Sequence, residues 1–593
     1  MIAPFTASEV LRHSGWLKSL VVESGSPIVV ECVAPIRRIA RPVIAISGAI
    51  SGLALTSSFY MLQVYDRVLP TGSLPTLMLL SIIALCAMIA FSILDAIRLA
   101  VVNRAATIAA DALSSRLFGV VVSMASVMGG SVDTRNALRD VEAIRTYLAS
   151  PALISLIDIP FCLLFLIILF LLHPLFLLAV LVSVCLLVGI TIISKVLIEQ
   201  DLRIATMDQV RAHSLVEDAI RNSDVLVGIG MADSFRRRWT AVRTQHLRNA
   251  LNASEGGIYA SAASRFVKGL LQSALLCIGA ILVIQYNTTG GVMIAASILG
   301  LRAIAPLEVV IAGWSQLSSA SFAFANVIRL IETAPRRAEG MRLPPPRGYL
   351  QVQSASYIAP ATGRSVLSGV SFRLEPGDCL VVTGSSASGK STLAKLLIGA
   401  WPCSSGKVRL DGADVYSWSR SQIGEHLGYL PQDVELFSGS VSENIARMQT
   451  PDPDKVVDAA RLANAHDLIL SLPQGYETEI GLNGTRLSGG QRQIIGLARA
   501  LYGNPKFVVL DEPNANLDMQ ADGALAETLR SLRRAEAVVV VIAHRSSVLS
   551  VANKVLAIKD GKVQRFGVTA EVLQEARLER RRNVKDVAPT LEA

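Results

Sequence analysis

Along roughly the first 330 residues, apolar side chains run on without the polar interruptions of an amphipathic helix or a half-buried strand. Runs of this kind suit helices crossing about 30 Å of hydrocarbon, which takes about 20 residues. Six spans are predicted, at 42–64, 75–97, 152–172, 174–194, 266–285 and 293–317. Lipid offers the backbone no hydrogen-bond partner, so these runs must be helices. Only His173-Pro174 separates the third span from the fourth, which predicts a tight helical hairpin. From about residue 349 the pattern changes, and short β-rich runs alternate with helical ones, as in an α/β domain with a largely parallel sheet. Between the two regions Leu343-Pro344-Pro345-Pro346-Arg347-Gly348 cannot continue a helix and reads as a stiff linker. The expected fold is an all-α six-helix transmembrane domain fused to an α/β domain. The expected division is a segment 1–41, a membrane domain 42–335, a linker 336–348, the α/β domain 349–575 and a charged tail 576–593.

Composition agrees, with 51% hydrophobic and only 17% charged residues. The formal net charge of +9 is spent on orientation, which excludes nucleic acid as the expected partner. Residues 98–150 carry Arg98, Arg104, Arg116, Arg135, Arg139 and Arg145. Residues 195–265 carry Lys195, Arg203, Arg211, Arg236, Arg237, Arg238 and Arg243, whereas the short connections hold only Arg67. Basic loops stay inside, so both termini are expected in the cytoplasm. The first 41 residues lack the apolar core of a cleavable signal and leave no room for a leader-peptidase domain. Both long inner segments keep helical spacing, so the spans should extend past the bilayer, with tips near 123–132 and 220–226 as candidate coupling elements. Asp95, Asp158, Arg302 and Glu308 fall inside or beside spans, where charges either pair or face water. Seven singly scattered cysteines have no metal or redox spacing and are expected as buried thiols.

The chemistry lies in the second half. Gly384-Ser385-Ser386-Ala387-Ser388-Gly389-Lys390-Ser391 fits G-x-x-x-x-G-K-[ST], followed by Thr392. In that pattern backbone N–H groups cradle phosphate, the lysine reaches the terminal phosphates and the hydroxyl holds Mg2+. The apolar run Cys379 to Thr383 before it and the helical run after it supply the strand-loop-helix setting the motif requires. Further on, Phe507-Val508-Val509-Leu510 reads as a buried strand with Asp511 and Glu512 at its carboxyl end. Asp511 is the candidate for organising Mg2+, and Glu512 for polarising an attacking water.

Leu487-Ser488-Gly489-Gly490-Gln491 resembles the LSGGQ signature of ATP-binding-cassette (ABC) ATPases. In that family the signature caps the nucleotide held by the opposite cassette, which implies a homodimer with two composite ATP sites. Three longer strings narrow the resemblance to type I secretion ATPases. They are Tyr60-Met61-Leu62-Gln63-Val64-Tyr65-Asp66-Arg67-Val68-Leu69-Pro70, Gly428-Tyr429-Leu430-Pro431-Gln432-Asp433-Val434-Glu435-Leu436-Phe437 and Asp511-Glu512-Pro513-Asn514-Ala515-Asn516-Leu517-Asp518. The resemblance implies an adenine-stacking role for Tyr357 and contact of Gln432 with Mg2+ and water. It also implies communication across the dimer for Asp518 and a γ-phosphate switch at His544. Leu482 stands where exporters commonly carry an acidic residue, and Ile494 where arginine is usual. The function implied is ATP-driven export of unfolded proteins. Its implied partners are a periplasmic adaptor, an outer-membrane channel and a cargo with an uncleaved carboxyl-terminal signal. Two alternatives use the same residues: an exporter of lipids or drugs, and a membrane-anchored ATPase that moves no substrate.

Overall fold

The computed structural model describes residues 27–128, 132–286, 288–334, 343–360, 362–481, 484, 486–515, 519–543, 546–572 and 574. The chain divides into two compact units, a helical one ending at Ala334 and a mixed one running from Pro335.

Among the described residues of the helical unit, six helices are long and apolar enough to cross a membrane: Ala34–Thr71, Leu74–Val127, Pro151–Leu172, Pro174–Ser194, Ala232–Gln285 and Gly290–Ala312. The hairpin sits where the sequence puts it. His173 is extended, its Nδ1 accepts from Leu175 N at 3.3 Å, and Pro174 opens the next helix, where its missing N–H costs nothing. Leu74–Met128 and Ala232–Tyr286 each run 55 residues and Pro174–Arg221 runs 48. At 1.5 Å per residue these are about 70–80 Å long, more than twice the hydrocarbon thickness. The sixth span departs from the expected 293–317. It begins at Gly290 and stops at Ala312, where Gly313 leaves helical geometry before the amphipathic helix Trp314–Thr333.

Spans three to six share a core that includes Leu169, Phe176, Val180, Leu271, Leu275, Leu299 and Ile304. Small residues bring the backbones close, as packing between helices in lipid demands. A Cβ on Gly300 would collide with Leu275 Cδ1 and come within 3.3 Å of Val180 Cγ2, both on wholly buried side chains. Gly300→Ala is therefore expected to overpack the bundle by about 1–3 kcal/mol. A lowered apparent melting temperature of the purified protein would register this, and an unchanged one would show that Leu275 can yield.

Three of the four charged positions in or beside spans, Asp95, Asp158 and Glu308, find partners, whereas Arg302 has none among the described residues. Buried Arg98 donates to Asp95 Oδ1 and Asp158 Oδ1, each at 2.7 Å, and to Ser47 Oγ at 2.9 Å, tying three spans together. Lys268 meets Glu308 at 2.8 Å between the fifth and sixth. The cysteines depart from expectation. Cys379 is buried, Cys162 and Cys403 are half-buried, and Cys86, Cys185 and Cys277 are exposed on the spans. Their surroundings are apolar because the outer face of a span is apolar, without a protein core covering them.

The mixed unit holds two sheets. Strands β1 (Leu350–Ile358), β2 (Ser365–Leu374), β4 (Ser405–Leu410) and β5 (Ala413–Asp414) form an antiparallel sheet in the order β2-β1-β4-β5. The second sheet has the order β10-β9-β3-β8-β7-β6, with β3 Cys379–Gly384, β6 Leu427–Leu430, β7 Phe507–Asp511, β8 Val538–Ile542, β9 Lys554–Lys559 and β10 Lys562–Val568. β9, β3, β8, β7 and β6 pair in parallel, and β10 returns antiparallel to β9. Every residue of β7 and β8 is buried. Such unbroken apolar runs mark parallel strands covered on both faces, and each large side chain contributes about 1.5–3 kcal/mol of burial. Ahead of β1, the described part of the linker is bound down without forming a helix. Arg347, Gly348 and Tyr349 donate backbone N–H bonds of 2.6, 3.3 and 2.9 Å to the Asp411 carboxylate.

Candidate functional site

Strand β3 lies inside the parallel sheet between β9 and β8, and the phosphate loop leaves its carboxyl end, the usual place for a ligand in such a sheet. The loop then opens the helix Lys390–Leu397. Its backbone is bent to suit an anion. Ala387 has φ +63° and Gly389 φ +97°, and a Cβ at Gly389 would come within 2.7 Å of Leu367 Cδ2 and 3.0 Å of Val366 O. Lys390 is buried in this fold, its Nζ donating to the carbonyls of Gly384 at 3.0 Å and Ser385 at 2.8 Å. Ser388 is also buried, and its Oγ has no hydrogen-bond partner among the described residues. A buried cation held by its own loop's carbonyls beside an orphaned hydroxyl fits a site built for phosphate oxygens.

Two strands away, Asp511 ends β7 with 2% of its surface exposed and Oδ1 without a partner among the described residues. Burial pushes its carboxyl above the usual carboxylate range. A hydrogen bond with Ser391 opposes the rise, the neighbouring Glu512 adds to it, and Lys395 and Lys390 pull the other way. A buried carboxylate with an orphaned oxygen beside the Ser391 hydroxyl is a donor set that a hard divalent cation suits. Ser391 and Asp511 therefore fit Mg2+ in chemistry.

Glu512 holds φ +50°, a conformation costly for a residue with a side chain, and its N–H donates to Ile542 O at 2.9 Å. The bend turns the chain out of the sheet at the one carboxylate proposed as a base. Gln432 Nε2 donates to Glu512 Oε2 at 3.1 Å, so two candidates far apart in sequence meet. Sequence reasoning missed Gln493, which is buried and donates to Glu512 O at 3.0 Å from the helix Gly489–Leu501. Its place inside the extended run Gly489-Gly490-Gln491-Arg492-Gln493 was the available signal.

Ser488 caps that helix. Its Oγ accepts from Gln491 N at 3.2 Å, and Gln491 Oε1 accepts in return from Ser488 N at 2.8 Å. This reciprocal box uses the Gln491 side chain for the cap and presents Gly489 and Gly490 at a positive helix end. Ile494, where arginine is usual, packs against the core. Tyr357 is 3% exposed and stacks on Trp401, with centroids 4.8 Å apart. Lys395 Nζ lies 4.4 Å from the centroid of the Trp401 ring. Sequence reasoning also missed that Trp401 shares the aromatic position. Asp518, His544 and Leu482, like residues 1–26, 335–342 and 575–593, lie outside the described residues.

The profile of the family described as ABC transporter matches residues 367–515, from β2 to just past Glu512. Over 552 residues the chain is 37% identical to the type I secretion system ATP-binding protein PrsD of Rhizobium meliloti, covering 92% of this chain and 95% of that protein. It is 26% identical to the cyclolysin secretion/processing ATP-binding protein CyaB of Bordetella pertussis, over 90% of this chain and 75% of that one. With the leukotoxin translocation ATP-binding protein LktB of Mannheimia haemolytica it shares 27% identity over 91% and 77% respectively. Among solved structures, a bacterial Atm1-family ABC exporter with ATP bound superposes with a TM-score of 0.77, covering 94% of this chain and 99% of the other. At 22% identity, that likeness speaks for the fold.

Proposed function

Because this chain belongs to the type I secretion ATP-binding proteins within the ABC transporters, and is thus an ATP-hydrolysing membrane exporter, we propose that it drives unfolded proteins across the inner membrane as a homodimer. The observation that carries the reading is the 37% identity to PrsD over 92% of the chain, because it runs through the membrane helices as well as the ATPase. A match confined to the cassette would fit a lipid or drug exporter equally well.

In this proposal each of two ATP molecules lies between the loop Gly384–Thr392 of one protomer and Ser488, Gly489 and Gly490 of the other. Lys390 exchanges the carbonyls of Gly384 and Ser385 for phosphate oxygens, and the Ser388 hydroxyl gains the partner it lacks. Ser391, Asp511 and Gln432 hold Mg2+, which when bound neutralises charge on the phosphates. Glu512, oriented by Gln432 through its carboxylate and by Gln493 through its carbonyl, accepts the proton of the attacking water. Tyr357 supports adenine, His544 senses the γ-phosphate and Asp518 communicates across the dimer. The tips at 123–132 and 220–226 couple hydrolysis to the helices. Both termini and the ATPase lie in the cytoplasm, with the domains bounded at 42, 335, 349 and 575. A periplasmic adaptor and an outer-membrane channel continue the path, and the cargo carries an uncleaved carboxyl-terminal signal.

Deleting the gene and comparing secreted proteins tests this reading. At least one protein is expected to vanish from the medium, and its final segment, supplied as a peptide, to change the ATPase rate of the purified exporter. An unchanged secretome with a lipid or drug accumulating in the cell would hand the role to the alternative.

A further inference from the structure

Arg302 lies twelve residues into the sixth span, Gly290–Ala312, about 18 Å along a helix of about 34 Å. That places it near the middle of the hydrocarbon. Of the other charges the sequence puts in or beside spans, Asp95 and Asp158 are met by Arg98, and Glu308 by Lys268. Arg302 is exposed and has no side-chain partner among the described residues. Its own helix offers none, since the positions three and four residues away are Ile298, Leu299, Ala305 and Pro306. Gly300, Ala303 and Ile304, turned about 100° or more away from it, are buried, as are Leu299 and Ala295 nearer its own azimuth, so exposure on this side is confined to Arg302 and Val309, seven residues on.

A guanidinium facing lipid at this depth costs at least about 2.5–3.5 kcal/mol, and either interface is about 15 Å away, beyond the reach of its side chain. The Arg302 side chain must therefore face water. Resting on the exporter reading above, we propose that Arg302 lines the water-filled path through the dimer and binds carboxylates of the passing polypeptide, so that the cargo it serves is a chain rich in Asp and Glu. A planar, permanently charged group with several donors suits side chains that pass one after another, because each carboxylate can engage it and leave without a proton changing hands.

The test places charge at this position from the aqueous phase. Arg302→Cys is made after replacing the exposed span cysteines Cys86, Cys185 and Cys277 with alanine, and is treated with cationic and anionic methanethiosulfonates. Both reagents are expected to label the introduced thiol. The cationic adduct should restore secretion of the protein lost on gene deletion, while the anionic adduct leaves it at least tenfold lower. Unmodified Arg302→Lys and Arg302→Glu should fall in the same order. Labelling by neither reagent would place position 302 in lipid and overturn the proposal, as would equal secretion with either charge. Failure of the exporter reading would show separately, as a secretome that does not depend on the parent chain.

Discussion

Exporter carrying Glu512→Gln is expected to bind ATP and retain it, with phosphate release slowed about 10²–10⁴-fold, the range a positioned general base supplies. The amide keeps the shape and the hydrogen-bonding capacity toward Gln432, 3.1 Å away, and leaves the strained φ of +50° undisturbed. What it loses is the ability to take a proton. Lys390→Ala should behave differently, because it removes the buried cation held between the carbonyls of Gly384 and Ser385 and with it affinity for the phosphates. Bound nucleotide and released phosphate, measured together on both variants, separate the two roles. Near-wild-type turnover in Glu512→Gln would remove that residue from the base position. Full nucleotide retention in Lys390→Ala would show that the loop's backbone suffices to hold the phosphates.

Much of this site is legible in the sequence because each part is local. The phosphate loop, Asp511 and Glu512 lie at strand ends that unbroken apolar runs announce, and His173-Pro174 announces the hairpin through backbone chemistry alone. What escapes the sequence depends on distant segments meeting. Nothing in the order of residues says that Arg98 reaches Asp158 and Ser47 on two other spans, nor that Gln493 reaches the carbonyl of Glu512. The adenine-stacking role of Tyr357 comes from the resemblance alone, which does not announce its stacking on Trp401, a contact 44 positions away in sequence. The apolar pattern sets the sixth span three residues late at its start and five at its end. That pattern continues past the true end, and the break falls at Gly313, where a Cβ would come within 2.5 Å of Ala152 Cβ, a close approach that polarity does not announce.

Mixing Lys390→Ala chains with Ser488→Arg chains is expected to restore ATPase activity that neither variant has alone. Ser488 and Gln491 spend their side chains on capping Gly489–Leu501, which leaves the positive end of a 13-residue helix, fronted by Gly489 and Gly490, open to an anion. Each chain carries one such end and one phosphate loop. A two-fold dimer pairs every loop with the other chain's helix end, giving two equivalent composite sites. In homodimers of either variant both sites are damaged, by a missing cation in one case and by a long side chain at the helix end in the other. In the mixed dimer both lesions fall in the same site, and the second site is built from an intact loop and an intact signature turn. Independent sites then give about half the wild-type rate in mixed dimers isolated by two different affinity tags, whereas strict coupling between sites gives one retained ATP per dimer with turnover still blocked. If the mixed dimers neither hydrolyse nor retain ATP, or if isolated monomers hydrolyse at the full rate, the composite arrangement is wrong. The helix end at Ser488 would then have some other ligand.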